Sequence, residues 1–183
     1  MAKRARSKSR AHRASGVPPG HEVLGTAIEE RALIVAGILA FLGILIAAYL
    51  TYEHWQIASG GATSCSVNAF FDCDPVLRSP YAYLLGVPLA IVGLGGFIAI
   101  EALVLWRFLF MERGATMSVP LLLGGLCVGG VALGGYLTYL ELFVIDAICP
   151  FCLSSFIVMV MLSAVLAMTY WSYGMATLAS LRR

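Results

Sequence analysis

Four stretches of about twenty residues carry almost no charge: Ala32 to Tyr52, about Leu84 to Trp106, Val119 to Leu142 and about Cys149 to Trp171. That is the length a helix needs to cross the hydrocarbon core of a bilayer. Lipid offers no partner to a backbone N–H or C=O, so each span must be helical. Composition agrees: only 12% of the 183 residues are charged and 60% are hydrophobic, against roughly 25% charged in a soluble domain. This excludes a soluble globular domain, a disordered chain and a coiled coil. The expected fold is an all-α integral membrane protein, a four-transmembrane-helix bundle with a long outer loop between helices 1 and 2. The expected division is a basic disordered tail over 1–31, the membrane domain over 32–171 and a short tail over 172–183. The first span is too long for the apolar core of a cleaved signal peptide, about 7–15 residues.

Basic residues orient the bundle. Lys3, Arg4, Arg6, Lys8, Arg10, Arg13 and Arg31 precede the first span, Arg107 and Arg113 lie between spans two and three, and Arg182 and Arg183 end the chain. All fall on one side of a four-span arrangement, and only Arg78 falls on the other. Both termini are therefore expected in the cytoplasm, with Glu53–Tyr83 and the short Phe143–Ile148 turn outside, in a multi-pass protein of the cell (inner) membrane. The basic tail reads as a topology signal that touches anionic membrane lipid; no nucleic acid is expected as a partner.

Span three repeats glycine at 124, 125, 129, 130, 134 and 135. The G-x-x-x-G spacings 125/129 and 130/134 let helices approach closely in lipid. Gly93, Gly95 and Gly96 are expected to do the same for span two.

The chemistry lies in the cysteines. Cys65 and Cys73 sit in the long outer loop, and Cys149-Pro150-Phe151-Cys152 opens span four. Four thiols on one face, on the side where disulfides persist, suggest disulfide chemistry. Pro150 suits the first helical position. The free N–H groups and dipole of that helix end then favour a thiolate on at least one of the two cysteines. Asp74-Pro75 reads as a second cap and helix start, with Cys73 just before it and a short helix to about Leu77. A plain structural disulfide between Cys65 and Cys73 remains open. Half a zinc site is less compatible, because the loop pair lacks the short spacing usual there; no metal is expected. Cys127 is mid-span and reads as an inert buried thiol.

In order, the chain has an outer-loop Cys-x7-Cys, then Ser79, then Gly86-Val87-Pro88 opening a span, then the C-x-x-C. This pattern resembles the vitamin K epoxide reductase family in its prokaryotic form, over about residues 32 to 171. The resemblance implies a four-helix bundle around a quinone, menaquinone or ubiquinone. It implies that Cys152 reduces the quinone, that Cys149 exchanges disulfides with Cys73, and that Cys65 takes electrons from a thioredoxin-like protein. Ser79 corresponds to a family serine near the quinone. Ala82 stands near where vertebrate members have an Asn, and Phe156 where they have a Tyr; both of those residues help hold vitamin K. Their absence fits a plain quinone better than an epoxide. Many prokaryotic members carry a fused thioredoxin-like domain; this sequence ends at Arg183, so a separate thioredoxin-fold partner on the outer side is expected.

The expected function is thus a membrane thiol–quinone oxidoreductase that generates disulfides. Alternatives are vitamin K quinone or epoxide reduction, a bacterial disulfide-bond-forming oxidoreductase of another four-span type, and a non-enzymatic membrane protein with structural disulfides. Glu53 and His54 read mainly as interfacial anchors at the end of span one, with proton donation to the quinone a lesser reading. Trp55, Tyr81 and Tyr83 read as part of the interfacial aromatic belt. Glu101 is ionisable within a span, a functional flag by default, but is expected to snorkel toward Arg107.

Overall fold

The computed structural model describes residues 19–65, 68, 70–109 and 118–181. The first eighteen residues of the basic tail, the Arg113 region and the last two arginines lie outside them. Among the described residues, four helices are long and apolar enough to span a membrane. They belong to α1 (Pro19–Ala58), α3 (Leu89–Leu109), α4 (Ser118–Leu140) and α5 (Pro150–Leu181), with a short α2 (Cys73–Arg78) between α1 and α3. The expected boundaries at 31/32 and 171/172 both fall inside helices.

Helix α1 packs on α3 and α5, and α4 packs chiefly on α5. Small residues let α1 approach its neighbours. Ala36, Ala40 and Ala47 are buried against Phe97, Ile100 and Val104 of α3 and Leu162 of α5. A Cβ at Gly43 would lie 2.3 Å from the Phe97 ring, so only glycine admits that ring. Outward faces are apolar and uncovered, as at Ile38, Leu121 and Met168, which suits a lipid solvent.

The glycine ladder of α4 is used on one face only. A Cβ at Gly130 would meet Met159 of α5 at 2.8 Å, and one at Gly134 would meet Phe156 at 2.6 Å. Gly124, Gly125 and Gly129 have nothing within 4 Å, nor do Gly93, Gly95 and Gly96 of α3. Close packing is therefore confined to the 130/134 pair, and the role expected for the α3 glycines is not met within the described residues.

Three boundaries differ from the sequence reading. Gly86-Val87-Pro88 does not open the second span. Tyr83–Leu84 and Val87–Pro88 pair as an antiparallel hairpin, and α3 starts only at Leu89. Both residues of its tip have positive φ, Leu85 at 51° and Gly86 at 84°, as a tight two-residue hairpin turn requires. Helix α2 is capped by Asp72, not Asp74: the extended Asp72 accepts the Asp74 N–H through its side chain, so Cys73 itself opens the helix. Pro75 then sits in the first turn, where a missing N–H costs nothing. Finally, α4 ends in a π-helical turn over Glu141–Ile145 that closes on Asp146, a left-handed residue with φ 56°.

Glu101 does not pair with Arg107. Arg107 forms an ion pair with Glu29 of α1, tying the last turn of α3 to α1. One Glu101 carboxylate oxygen is buried without a partner, close to Gly37 of α1.

Candidate functional site

A second buried cluster, apart from the bundle core, holds Leu50, Cys65, Cys73, Val76, Leu77, Ala147 and Cys149. The backbone brings the two cysteine segments together. Asp72 N–H donates to the Ile148 carbonyl at 3.1 Å, and Ile148 N–H donates to the Phe70 carbonyl at 2.8 Å. These two bonds form a short parallel clamp between the residues just before Cys73 and those just before Cys149. It delivers both cysteines to one point as the first residue of α2 and the residue preceding α5.

Cys65 and Cys73 form a disulfide. Cys149 is a free thiol, and its Sγ lies 3.1 Å from that of Cys73. Cys73 and Cys149 are both fully buried, so neither sulfur is hydrated. The Sγ of Cys149 also accepts the Cys152 N–H at 3.4 Å, so this sulfur is the acceptor at the α5 N-terminus. The sulfurs of Cys65, Cys73 and Cys149 lie within 4.8 Å of one another. Two of them are bonded to each other and offer no thiolate to a cation, so the arrangement is suited to disulfide exchange.

The loop between α1 and α2 is tied down just ahead of Cys65. Glu53, 1% exposed, accepts the Ser64 N–H at 2.8 Å. Arg78 donates to the Gly61 carbonyl at 2.9 Å and to Asp74 at 2.7 Å; the Asp74 carboxylate raises the guanidinium further above its ordinary range. These contacts leave Cys65 buried.

Beside the cysteines lies a cavity of about 1030 Å³, its open mouth included, walled by α1, α3, α4 and α5. Its apolar wall includes Leu50, Phe97, Leu133, Leu137 and Met159, and its polar groups are few. Cys152 opens onto it; Cys149 and Cys73 do not line it. Ser79, Ala82 and Phe156 all line the cavity. The Ser79 hydroxyl caps α2 by donating to the Val76 carbonyl at 2.8 Å.

Two acidic side chains and one histidine were misjudged or missed from sequence. Glu53 and His54 are not interfacial anchors: both are buried. His54 lines the cavity and meets the Tyr83 ring edge-on at 5.2 Å. Apolar length ended the first span at Tyr52, but the helix runs on to Ala58 under the folded loop that follows it, which covers these residues. Glu141 reads in sequence only as a charge near the end of span three. It is 2% exposed, lines the cavity, and accepts the Cys149 N–H at 3.1 Å. The flag raised for Glu101, an ionisable residue within a span, applied equally to Glu141. Trp55, Tyr81 and Tyr83 are exposed.

A family model for the vitamin K epoxide reductase family matches residues 34–167. The chain belongs to the vitamin K epoxide reductase family. Membership, the four spanning helices and the disulfide with a third sulfur at contact distance make this a multi-pass membrane protein equipped for thiol redox chemistry.

Proposed function

We propose that the protein is a membrane thiol–quinone oxidoreductase that generates disulfides. Electrons enter from a separate thioredoxin-fold protein on the outer side, pass through Cys65 and Cys73, then through Cys149 and Cys152, and leave to a quinone. The active cysteines face outward from the cell membrane and both termini face the cytoplasm. The observation that carries this reading is the 3.1 Å approach of Cys149 to the Cys65–Cys73 disulfide, with Cys152 one helical turn on, at the cavity.

Each exchange is attack of a thiolate on a disulfide sulfur, with a thiolate leaving. Starting from a Cys149–Cys152 disulfide, Cys73 attacks Cys149 and releases Cys152. Cys65 then attacks Cys73 and releases Cys149. The arrangement observed, an oxidised outer pair beside reduced Cys149 and Cys152, corresponds to the end of that transfer. The cavity fits a quinone: it is large, mostly apolar, and edged by a few polar groups, His54, Ser79 and Thr138 among them. A bound quinone supplies an acceptor of two electrons and two protons. Phe156 and Ala82 bring no hydrogen-bonding side chain to the cavity wall, which favours a plain quinone over an epoxide.

The test is quinone reduction by the purified protein with two donors, a reduced thioredoxin-fold protein and dithiothreitol. Cys152→Ala should abolish both activities. Cys65→Ala and Cys73→Ala should abolish the first and keep part of the second, since dithiothreitol can reach Cys149 directly once the loop opens. Wild-type quinone reduction by Cys152→Ala with dithiothreitol would overturn the order of the relay.

A further inference from the structure

Cys152 must lose a proton before it can act, and it opens onto a mostly apolar cavity. The local fold supplies one candidate acceptor. Glu141 opens the π-helical turn that ends α4. Its own carbonyl accepts the Ala147 N–H at 3.2 Å, and its carboxylate accepts the Cys149 N–H at 3.1 Å. Main chain and side chain of one residue thus hold both ends of the segment leading into the C-x-x-C. Cys149 links Glu141 to Cys152: its N–H donates to the carboxylate and its Sγ accepts the Cys152 N–H, and Glu141 and Cys152 line the same cavity. The other titratable groups around the site are the Cys149 thiol just before α5, Tyr49, Glu53 and His54 on α1, and Tyr81 at the cavity wall; Cys73 is held in its disulfide with Cys65.

We infer that Glu141 is the proton acceptor for the Cys152 thiol, a catalytic base lodged beneath the N-terminus of α5. In the step, the S–H bond of Cys152 breaks and an O–H bond forms on Glu141. No electrons are transferred, and the single negative charge moves from carboxylate to sulfur. Charge conservation matters here. Creating an isolated ion in a desolvated site is very costly, whereas moving an existing charge from carboxylate to sulfur within the site leaves the number of buried ions unchanged. The inference rests on the thiol–quinone reading for the fate of the proton, which passes from Glu141 into the cavity. A helix cap alone would also place an acceptor at the Cys149 N–H. The two roles separate chemically, because a glutamine oxygen still accepts an N–H but does not take a proton at neutral pH.

The test uses the full chain in detergent, reduced and freed of reductant, with no quinone added. Iodoacetamide alkylation of Cys152 is followed against pH by peptide mass spectrometry. The wild-type rate should rise in two steps, one for the carboxyl and one for the thiol; E141Q should show a single step. With dithiothreitol and quinone, E141Q should lower kcat by about 100-fold or more, the scale of a lost general base, with KM changed less than about threefold. An E141Q profile that superimposes on wild type, or a kcat within about twofold, overturns the proposal. Should E141Q not accumulate as folded protein, E141D decides: withdrawing the carboxyl by one methylene must slow turnover at least about tenfold, and a wild-type rate overturns the inference. Wild-type protein that shows the two-step profile yet reduces no quinone would refute the proposed function and leave the Glu141 step standing.

Discussion

Gly134→Ala probes whether the α4–α5 contact shapes the cavity. An added Cβ would lie 2.6 Å from Phe156 Cδ2 and 3.3 Å from its Cγ, where carbon atoms rest at about 3.5–4.0 Å. The ring must retreat by about 1 Å. Because Cγ anchors the ring to its helix, it cannot simply swing its far edge aside; α4 and α5 separate or the ring turns into the cavity. Overpacking of this kind costs about 1–3 kcal/mol. Alanine also favours a helix over glycine by about 1 kcal/mol, which would blur a single measurement. Gly125→Ala removes that term from the comparison, since Gly125 lies in the same helix and has nothing within 4 Å. G134A should therefore fall below G125A by about 1–3 kcal/mol. At about 2–4 °C per kcal/mol for a chain of this size, the thermal midpoints in detergent should differ by about 2–12 °C. Circular dichroism measures the midpoints, and a double-mutant cycle with Phe156→Ala should recover most of the difference. Equal midpoints, with a coupling energy under about 0.5 kcal/mol, would refute the claim that glycine is there to admit the Phe156 ring.

Other outcomes follow from the cysteine geometry. Cys65→Ser frees Cys73 within 3.1 Å of Cys149, so the purified, air-oxidised variant should accumulate a Cys73–Cys149 disulfide, detectable by peptide mapping; its absence would mean that the two sulfurs do not exchange. Glu53→Ala removes the acceptor for Ser64 N–H and should speed reduction of Cys65–Cys73 by a bulky thiol reductant at least severalfold, whereas an unchanged rate would show that the loop is held elsewhere. Cys127→Ala deletes a buried thiol of the bundle core and should leave turnover near wild type, with a large loss contradicting its assignment to packing. Labelling of single engineered thiols in a cysteine-free background should find positions near 62 and 146 outside and 114 inside; labelling of 114 from outside would invert the proposed orientation.

Much of this protein could be read from the order of its residues because lipid simplifies the problem. A bilayer demands apolar length and internal backbone pairing from each segment separately, so four spanning helices were evident without knowledge of what packs on what. The cysteines of the loop and of the C-x-x-C were likewise legible, since Pro150 places the start of α5 by local chemistry alone. Segment ends were less legible. Nothing local distinguishes Gly86-Val87-Pro88 as a strand of a hairpin from the start of a span, and the Asp72 cap is seen only once the backbone of α2 is traced.

Only tertiary structure decided which charges are buried and which sulfurs meet. Glu53 and His54 lie past the apolar stretch that marks the first span, and a sequence pattern carries no sign that the loop after it will fold over them. Glu141 looks like a residue at the edge of span three until the π-helical turn rolls its carboxyl beneath Cys149. Cys73 and Cys149 are separated by 76 positions, and two backbone hydrogen bonds between loops bring them to contact. Spacing, charge and hydropathy are properties of neighbours along the chain. Contact between Cys73 and Cys149, and the carboxyl held beside them, depend on where separate helices end in space, which is determined by how the whole bundle packs.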